Sequence, residues 1–415
     1  MAGNTVNDRL TDWIDGHFDD EVAFLQRLVR IPTDTPPGDN APHARAVADT
    51  LEQWGWKVER HPVPIERVRD YGMQSITNLV VRREYGPGPT IALNAHGDVV
   101  PPGDGWTKPP YGGEVHDGRL YGRAAAVSKS DFATYLFAVR ALEESGAALK
   151  GTVEFHFTYD EEFGGLLGPG WLLEQGLVEP DYVVCAAFSY AVVMAHNGCL
   201  QFEVAVNGKA THGAVPHTGH DALRAANRIL SAIYARADQL NAVQSSVDGI
   251  GHPTMIVGWI GGGTNTNVVP GQVTLKMDRR LIPEEDPDEV EADVRTLIQD
   301  AVRGLEGIRV DVRRLLRANA LRPLPGHEIL VSAIRRAAQD IKGESIPAVG
   351  TPLYADARLY AERGIPVVMY GAGPRTLLES NAKRADENVA LEDVRRATKV
   401  MALALAELLG AERGS

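Results

Sequence analysis

The sequence contains few cysteines and no long apolar run. Cys185 and Cys199 are the only cysteines in 415 residues, so at most one disulfide can form, and a reducing compartment is the simpler interpretation. No stretch reaches the roughly 18 apolar residues of a membrane-spanning helix, and the opening MAGNTVNDRLTDWIDG lacks the apolar core of a signal peptide. These features predict a cytoplasmic protein that does not enter a membrane.

Positive charge is also scarce. The chain has 42 Lys and Arg against 55 Asp and Glu, a formal net charge of −13. Nucleic acid and anionic membranes would be repelled, so neither is expected as a partner. A hydrophobic content of 44% with 23% charged residues is typical of a globular protein, and the length favours two domains.

The residue pattern predicts an α/β domain with an insertion. Helical periodicity at 130–146 and nearly continuous apolar strands at 90–100 and 151–162 indicate a buried, mainly parallel sheet. From about Cys199, strands alternate apolar and polar residues, as in a sheet covered on one face. We therefore expect a discontinuous α/β domain, residues 1–198 plus 317–415, and an inserted α+β domain, residues 199–316.

Two of the buried strands end in residues that carry chemistry. His96 and Asp98 follow the first, and their spacing suits an imidazole ligand of zinc with a carboxylate that orients it. Asp160, Glu161 and Glu162 follow the second, where their mutual repulsion requires a metal, a basic residue or a shared proton. Because ligands bind at the carboxyl ends of such strands, these residues form the candidate site.

Five segments of the chain resemble one protein family. They are LNAHGDVVPPGDGW, DGRLYGR, TYDEEFGG, NTNVVPGQVTLKMDRRLIP and GIPVVMYGAG, in the order found in the zinc aminoacylase and carboxypeptidase family. That family includes acetylornithine deacetylases, succinyl-diaminopimelate desuccinylases and glutamate carboxypeptidases. The resemblance implies a three-layer αβα catalytic domain with an inserted lid and dimerisation domain, hence a homodimer. It also implies an amidohydrolase or peptidase that acts on a small carboxylate or amide substrate.

The resemblance assigns roles to the residues at the strand ends. His96 matches a ligand of the first zinc, and Asp98 matches the acid that orients this histidine. Glu161 matches the general base that activates water, and Glu162 matches a ligand of the second zinc.

The resemblance also implies substrate-binding residues. His212 matches a histidine that reaches a substrate oxyanion, commonly in the partner subunit's site. Asn267 and Arg280 match positions that bind the substrate α-carboxylate. The turn from Gly371 to Gly373 is expected to offer backbone hydrogen-bond donors nearby.

Three of the five zinc positions of the family are replaced in this chain. The bridging aspartate falls on Val127, the acidic ligand of the first zinc on Ala187, and a histidine ligand on Lys383. The remaining His96 and Glu162 would bind different metals, whereas zinc normally takes three or four protein ligands. We therefore expect no metal cofactor, with zinc or another divalent ion bound through recruited ligands as the alternative.

Residues that could be recruited as ligands have simpler interpretations. The Ser128-x-x-Asp131 pattern fits a helix capping box, and a lone cysteine in a buried strand, Cys185, is usually a core residue. Asp356 and Glu379 remain as potential oxygen ligands.

Lys383 is the most informative replacement. Its ammonium group could neutralise Glu161 and Glu162 without a metal. Alternatively, a lysine with a lowered pKa could act as an acid, a base or a Schiff-base nucleophile, or the side chain could point to solvent.

Three classes of function follow. The favoured one is a metal-independent enzyme that hydrolyses an amide, with Glu161 as general base and with Lys383 and His96 supplying electrostatic stabilisation. Proton transfer, elimination or cyclisation on an amino-acid derivative is an alternative reaction for the same site. The others are a single-metal amidohydrolase and a non-catalytic ligand-binding protein.

Overall fold

The structure, a computed structural model, describes residues 5–410. Its helices are α1 Val6–Gly16, α2 Phe18–Val29, α3 Ala41–Gln53, α4 Ile65–Asp70, α5 Lys129–Glu144, α6 Pro169–Glu174, α7 Ala222–Leu240, α8 Pro287–Ala301, α9 His327–Lys342, α10 Ala357–Ala361 and α11 Leu391–Leu408. Its strands are β1 Val58–Pro62, β2 Thr77–Glu84, β3 Thr90–His96, β4 Glu114–His116, β5 Arg119–Tyr121, β6 Thr152–Thr158, β7 Tyr182–Cys185, β8 Val192–His196, β9 Gly198–Asn207, β10 Thr211–His212, β11 Thr254–Gly262, β12 Val268–Val269, β13 Gln272–Leu281, β14 Arg309–Ala318, β15 Ala348–Thr351, β16 Val367–Met369 and β17 Asn388–Ala390.

The chain divides into two compact units. Unit 2 contains Ala195–Arg322 and the short segment Gly350–Tyr354, and unit 1 contains the other described residues. The short segment belongs to unit 2 because Gly350 N donates to Asp248 O at 2.7 Å and Asn197 N donates to Thr351 O at 3.2 Å. Such contacts join residues far apart in sequence, so no local pattern predicts them. The role of the insertion as a lid and dimerisation domain stays a prediction.

Unit 1 is built on an eight-stranded mixed sheet in the order β1-β2-β6-β3-β7-β16-β8-β15. The neighbours β6, β3, β7 and β16 run parallel, whereas β1 and β2 continue the sheet antiparallel. β3 and β6 are buried along almost their whole length, which explains their nearly continuous apolar sequences. Helices α1, α2, α5, α9 and α11 form one connected group, and α6 packs on α10. The prediction of a mixed α/β fold is confirmed.

Helix α5 lies inside unit 1. Its residues are buried from Lys129 to Val139 without interruption. Over this span it therefore has no polar face toward solvent, unlike a surface helix. The polar side chains of its first turn must find partners inside the protein.

Unit 2 contains a four-stranded antiparallel sheet in the order β11-β13-β9-β14. Helices α7 and α8 pack on this sheet and on each other, and their apolar residues form one core with those of the strands. β11 is an edge strand, and Ile256, Trp259 and Ile260 on it are about half exposed, at 55%, 50% and 48%. No helix within residues 5–410 is long and apolar enough to span a membrane.

Candidate active site

The candidate residues of unit 1 follow neighbouring parallel strands. The register pairs His96 of β3 with Thr158 of β6, and Asn94 of β3 with Cys185 of β7. The segments after these strands therefore emerge at the same edge of the sheet, where α/β proteins bind ligands.

Asp98 connects the segment after β3, which carries His96, to the segment after β6, which carries Glu161 and Glu162. Its carboxylate is fully buried and accepts hydrogen bonds from Glu161 N at 3.2 Å and Glu162 N at 3.0 Å. His96 Nδ1 lies 3.0 Å from the backbone oxygen of Asp98 and 3.4 Å from Asp98 Oδ1. Asp98 therefore fixes the backbone of the glutamate pair, a role that the sequence did not predict, and also contacts the histidine.

His96 lies against the predicted general base, with Nε2 3.9 Å from Glu161 Oε2. Burial lowers the pKa of His96, but the negative charges of Glu161, Asp98 and Glu162 outweigh that effect and raise the pKa to about 10. The imidazole is therefore positively charged at neutral pH beside the carboxyl group of Glu161.

Glu161 has a raised pKa. Burial raises it most, and the carboxylates of Glu162 and Asp98 add to the effect, while His96 and Lys383 oppose it. A carboxylate with a raised pKa binds protons more strongly, which suits a general base that works near neutral pH.

Lys383 forms an ion pair with Glu162, with 2.6 Å between Nζ and Oε2. The lysine side chain is 63% exposed, but that of Glu162 is only 8% exposed. Desolvation lowers the pKa of Lys383, but Glu162 and Glu161 outweigh it, so the pKa is raised. The alternative of a lysine with a lowered pKa is therefore wrong, and the ammonium group is paired although most of the side chain is exposed.

The side chain of Glu387 accepts hydrogen bonds that anchor the loop carrying Lys383. Glu387 Oε2 accepts from Lys383 N at 3.2 Å, and Oε1 accepts from Ala126 N at 3.3 Å. Glu387 also forms a buried ion pair with Arg123. The loop that carries Lys383 is thus tied to the turn that contains Val127.

Two further buried acids lie around the glutamate pair. Burial and the charge of Asp98 raise the pKa of Asp160 to about 8, and its Oδ2 accepts from Leu167 N at 2.5 Å. Burial and the charges of Glu161 and Asp160 raise the pKa of Asp356 well above its usual value. Retained protons therefore relieve part of the repulsion among these acids.

The turn from Gly371 to Gly373 does not offer its amides to a substrate. All three donate inside the chain, to Phe188 O at 3.3 Å, Asp131 Oδ1 at 2.7 Å and Ala187 O at 2.9 Å. The expected backbone donors of this turn are therefore already used, and that prediction is wrong.

The prediction of a capping box at the start of α5 is also wrong. Ser128 makes no side-chain cap, since its Oγ accepts from His96 N at 2.9 Å and donates to His96 O at 3.2 Å. Asp131 instead reaches Ala372. The reason is the burial of α5, whose first turn meets strand ends rather than solvent.

The predicted substrate-binding residues of the insertion lie in unit 2. His212 and Asn267 are exposed and lie near one another in the chain fold, because β10 and β12 pair His212 with Val268. Arg280 Nε donates to Asp278 Oδ1 at 2.8 Å. Their contacts with substrate stay predictions.

The donor set of unit 1 does not fit a dinuclear zinc site. The side chains of Val127 and Ala187 have no ligating atoms, and the ammonium of Lys383 is paired with Glu162 Oε2 at 2.6 Å. Within the described residues 5–410, no group of three or more His, Cys, Asp or Glu side chains is arranged to hold a metal ion. Cys185 and Cys199 are both buried and unpaired.

The sequence profile of peptidase family M20/M25/M40 matches residues 92–407. This chain belongs to that family. A succinyl-diaminopimelate desuccinylase from Methylorubrum extorquens (strain PA1) is 28% identical over 391 residues, which cover 91% of this chain and 96% of the relative. The family membership that the five segments predicted is confirmed.

Solved structures share the fold at lower identity. The di-peptidase Dug1p from Saccharomyces cerevisiae matches with a TM-score of 0.81 and 14% identity, over 98% of this chain and 99% of that one. The metallo-carboxypeptidase Sso-CP2 from Sulfolobus solfataricus, an M20 family member, matches with a TM-score of 0.77 and 18% identity, over 94% and 99%. Family membership makes this M20 chain an amidohydrolase or peptidase.

Proposed function

We propose that this M20 enzyme hydrolyses an amide bond in a small carboxylate-bearing substrate without a dinuclear zinc centre. The substrate class is an N-acyl amino acid or a dipeptide, as the names of the relatives suggest. The observation that carries the proposal is the ion pair between Lys383 Nζ and Glu162 Oε2 at 2.6 Å. A cation supplied by the chain itself neutralises the carboxylate that would otherwise bind a metal.

The three replaced zinc-ligand positions all change the charge of the site in the same direction. Val127 and Ala187 remove two carboxylates that the family places around its metals, and Lys383 adds a positive charge. Each of these changes makes the site less negative, so the site needs less positive charge from bound ions. A chain that had merely lost one ligand would not show three changes of the same sign.

The side chains present can divide the work of amide hydrolysis. Glu161 takes a proton from the water that attacks the amide carbonyl carbon, and its raised pKa strengthens it as a base. The protonated Glu161 then gives this proton to the amide nitrogen as the C–N bond breaks, so that the amine leaves in neutral form. The charges of Lys383 and His96 stabilise negative charge that develops on the substrate oxygen. Asp98 holds the Glu161 and Glu162 amides in position.

Elemental analysis of metal is the first test. Protein purified without added metal or chelator, and again after zinc soaking, should contain less than about a tenth of an equivalent per chain, because His96 and Glu162 alone cannot complete a zinc site. One tightly held equivalent would favour the single-metal alternative, and two would contradict the proposal.

A rebuilt variant provides the matched control. Val127→Asp, Ala187→Asp and Lys383→His together restore the ligand types that the family resemblance implies. This triple variant should retain close to two zinc equivalents under the same conditions. Failure of the triple variant to bind more zinc than the parent would show that the replacements do not govern metal binding.

Activity is tested on a panel of N-succinyl and N-acetyl amino acids and dipeptides, with and without a chelator. Turnover that resists the chelator and disappears in Glu161→Gln, with unfolding temperature unchanged, supports the proposed reaction. Turnover retained in Glu161→Gln would exclude Glu161 as the general base.

We further propose a homodimer formed through unit 2. The edge strand β11 exposes Ile256, Trp259 and Ile260, and Tyr234 on α7 is 51% exposed. An edge strand with exposed apolar side chains is a ready site for pairing with another chain.

A further inference from the structure

The first turn of α5 makes hydrogen bonds to three different segments at the candidate site. Ser128, Lys129 and Asp131 are all fully buried, although each carries a polar or charged side chain that is costly to bury without a partner. Their partners lie on segments far away in the sequence.

Ser128 holds the end of β3. Its hydroxyl accepts from His96 N at 2.9 Å and donates to His96 O at 3.2 Å. One side chain thus binds both backbone groups of the histidine that faces Glu161, and so sets the direction in which the chain leaves the strand.

Lys129 holds the segment that precedes α3. Its Nζ donates to Ile31 O at 2.8 Å. Residues 33–35 then bond to residues 97–99, through Thr33 Oγ1 to Gly97 O at 2.6 Å and through Val99 N to Thr33 O at 3.1 Å. Asp98 lies in the middle of this paired segment, so the position of Lys129 bears on the carboxylate that fixes Glu161 and Glu162.

Asp131 holds the turn after β16. Its Oδ1 accepts from Ala372 N at 2.7 Å. A Cβ atom on Gly371 would lie only 2.8 Å from Asp131 Cγ and 3.1 Å from Ala187 N, so the carboxyl group packs directly against this glycine and beside the replaced ligand position. Asp131 Oδ2 has no hydrogen-bond partner in the described part of the chain.

We propose that Ser128, Lys129 and Asp131 are positioning residues, and that the first turn of α5 is a clamp that fixes the His96, Asp98 and Ala187 segments relative to one another. The inference builds on the proposed function, in which the chain must position these segments without two metal ions. Val127, where the family resemblance places the bridging ligand, directly precedes this turn. The proposed hydrogen bonds would therefore hold together the His96, Asp98 and Ala187 segments without a metal.

The first turn itself offers a matched pair of variants. Ser128→Ala removes the hydroxyl that binds His96, whereas Ser130→Ala removes an equally buried hydroxyl that donates to Ala126 O at 3.4 Å, in the turn directly before the helix. Both delete one oxygen atom from the same helical turn, so a general effect on folding would appear in both.

If the first turn of α5 acts as this clamp, the two serine variants should differ in kcat and in the amide resonance of His96. In Ser128→Ala the amide resonance of His96 shifts and kcat falls about tenfold or more at a nearly constant KM, because misplacement of a catalytic group is costly. In Ser130→Ala neither changes. Equal effects of the two variants on kcat and on the His96 amide would overturn the inference.

Asp131→Asn and Asp131→Ala test the third contact. The asparagine retains an oxygen that accepts from Ala372 N, so it should keep the Ala372 amide resonance and most of the kcat, whereas the alanine should lose both. An alanine variant with a native Ala372 resonance would overturn the assignment.

The resonance measurements separate this inference from the proposed function. If the parent protein turns over no member of the substrate panel, the His96 and Ala372 amide shifts still decide whether the clamp exists. If turnover is found and the amide shifts do not respond to Ser128→Ala or Asp131→Ala, the proposed function stands and the clamp is excluded.

Discussion

At the scale of single residues, the ion pair of Lys383 and Glu162 separates activity from stability. The lysine is 63% exposed, so solvent screens the pair and its contribution to the free energy of unfolding is about 1 kcal/mol or less. Its charge nevertheless lies over the glutamate pair of the site.

Lys383→Met should therefore lower kcat/KM by about tenfold or more while the unfolding free energy changes by about 1 kcal/mol at most. Substrate turnover and urea unfolding measure the two effects. Arg384→Met, an exposed neighbour, is the control and should change neither. A Lys383→Met variant with parental kcat/KM would remove the lysine from the mechanism.

Glu21 is a buried acid remote in sequence from every site motif, and it allows a test of pH-dependent stability. Its Oε1 accepts from Thr398 Oγ1 at 2.6 Å, and burial raises its pKa from 4.5 to about 8. The folded state binds this proton more tightly than the unfolded state does. The contribution of protonated Glu21 to the free energy of unfolding is therefore complete below pH 4.5 and is lost as the pH rises toward 8.

The free energy of unfolding should thus fall between about pH 5 and 8, with a contribution from Glu21 of up to about 1.4 kcal/mol per pH unit. Glu21→Gln should flatten this dependence and make the protein more stable than the parent at pH 8. Urea unfolding across this range measures it, and the exposed Glu66→Gln is the control. An unchanged pH slope in Glu21→Gln would show that Glu21 titrates normally.

At the scale of secondary-structure elements, the ion pair of Arg123 and Glu387 joins the turn after β5 to the loop before β17. Both side chains are almost completely buried, at 2% and 3% exposure. Glu387 also accepts from the backbone of Lys383, so this pair supports the loop that carries the active-site cation.

Glu387→Gln should lower the unfolding free energy by about 3 kcal/mol or more, because it leaves the charge of Arg123 buried without compensation. The comparison is the exposed pair of Arg60 and Glu52, with a nitrogen–oxygen distance of 2.5 Å. Glu52→Gln should leave the urea midpoint nearly unchanged, because solvent screens this exposed pair. Similar urea midpoints for the two variants would contradict the argument from burial.

At the scale of the whole molecule, the exposed apolar edge of unit 2 leads to a prediction about assembly. Trp259→Glu places a charge in the middle of β11, where burial in a dimer interface would make it costly. The parent should sediment as a dimer and Trp259→Glu as a monomer. Leu378→Glu, at a leucine of unit 1 that is 71% exposed, should leave the dimer intact, and a monomeric parent would exclude the proposed interface.

The sequence alone determined the family, the α/β fold and the strands that carry the site. These features follow from local patterns, since burial of β3 and β6 on both faces requires nearly continuous apolar residues and parallel strands place His96 and Glu161 at one edge. The loss of ligating atoms at Val127 and Ala187 was also evident from residue type.

Only the tertiary structure decided which partners the polar side chains find. Lys383 could have had no acidic partner, Ser128 could have capped α5, and the Gly371–Gly373 amides could have faced a substrate. Their actual partners, Glu162, His96 and the segment around Ala187, come from distant parts of the chain. Hydrogen bonds act over about 3 Å, so a side chain's partner depends on packing that brings remote segments together, which local sequence patterns do not encode.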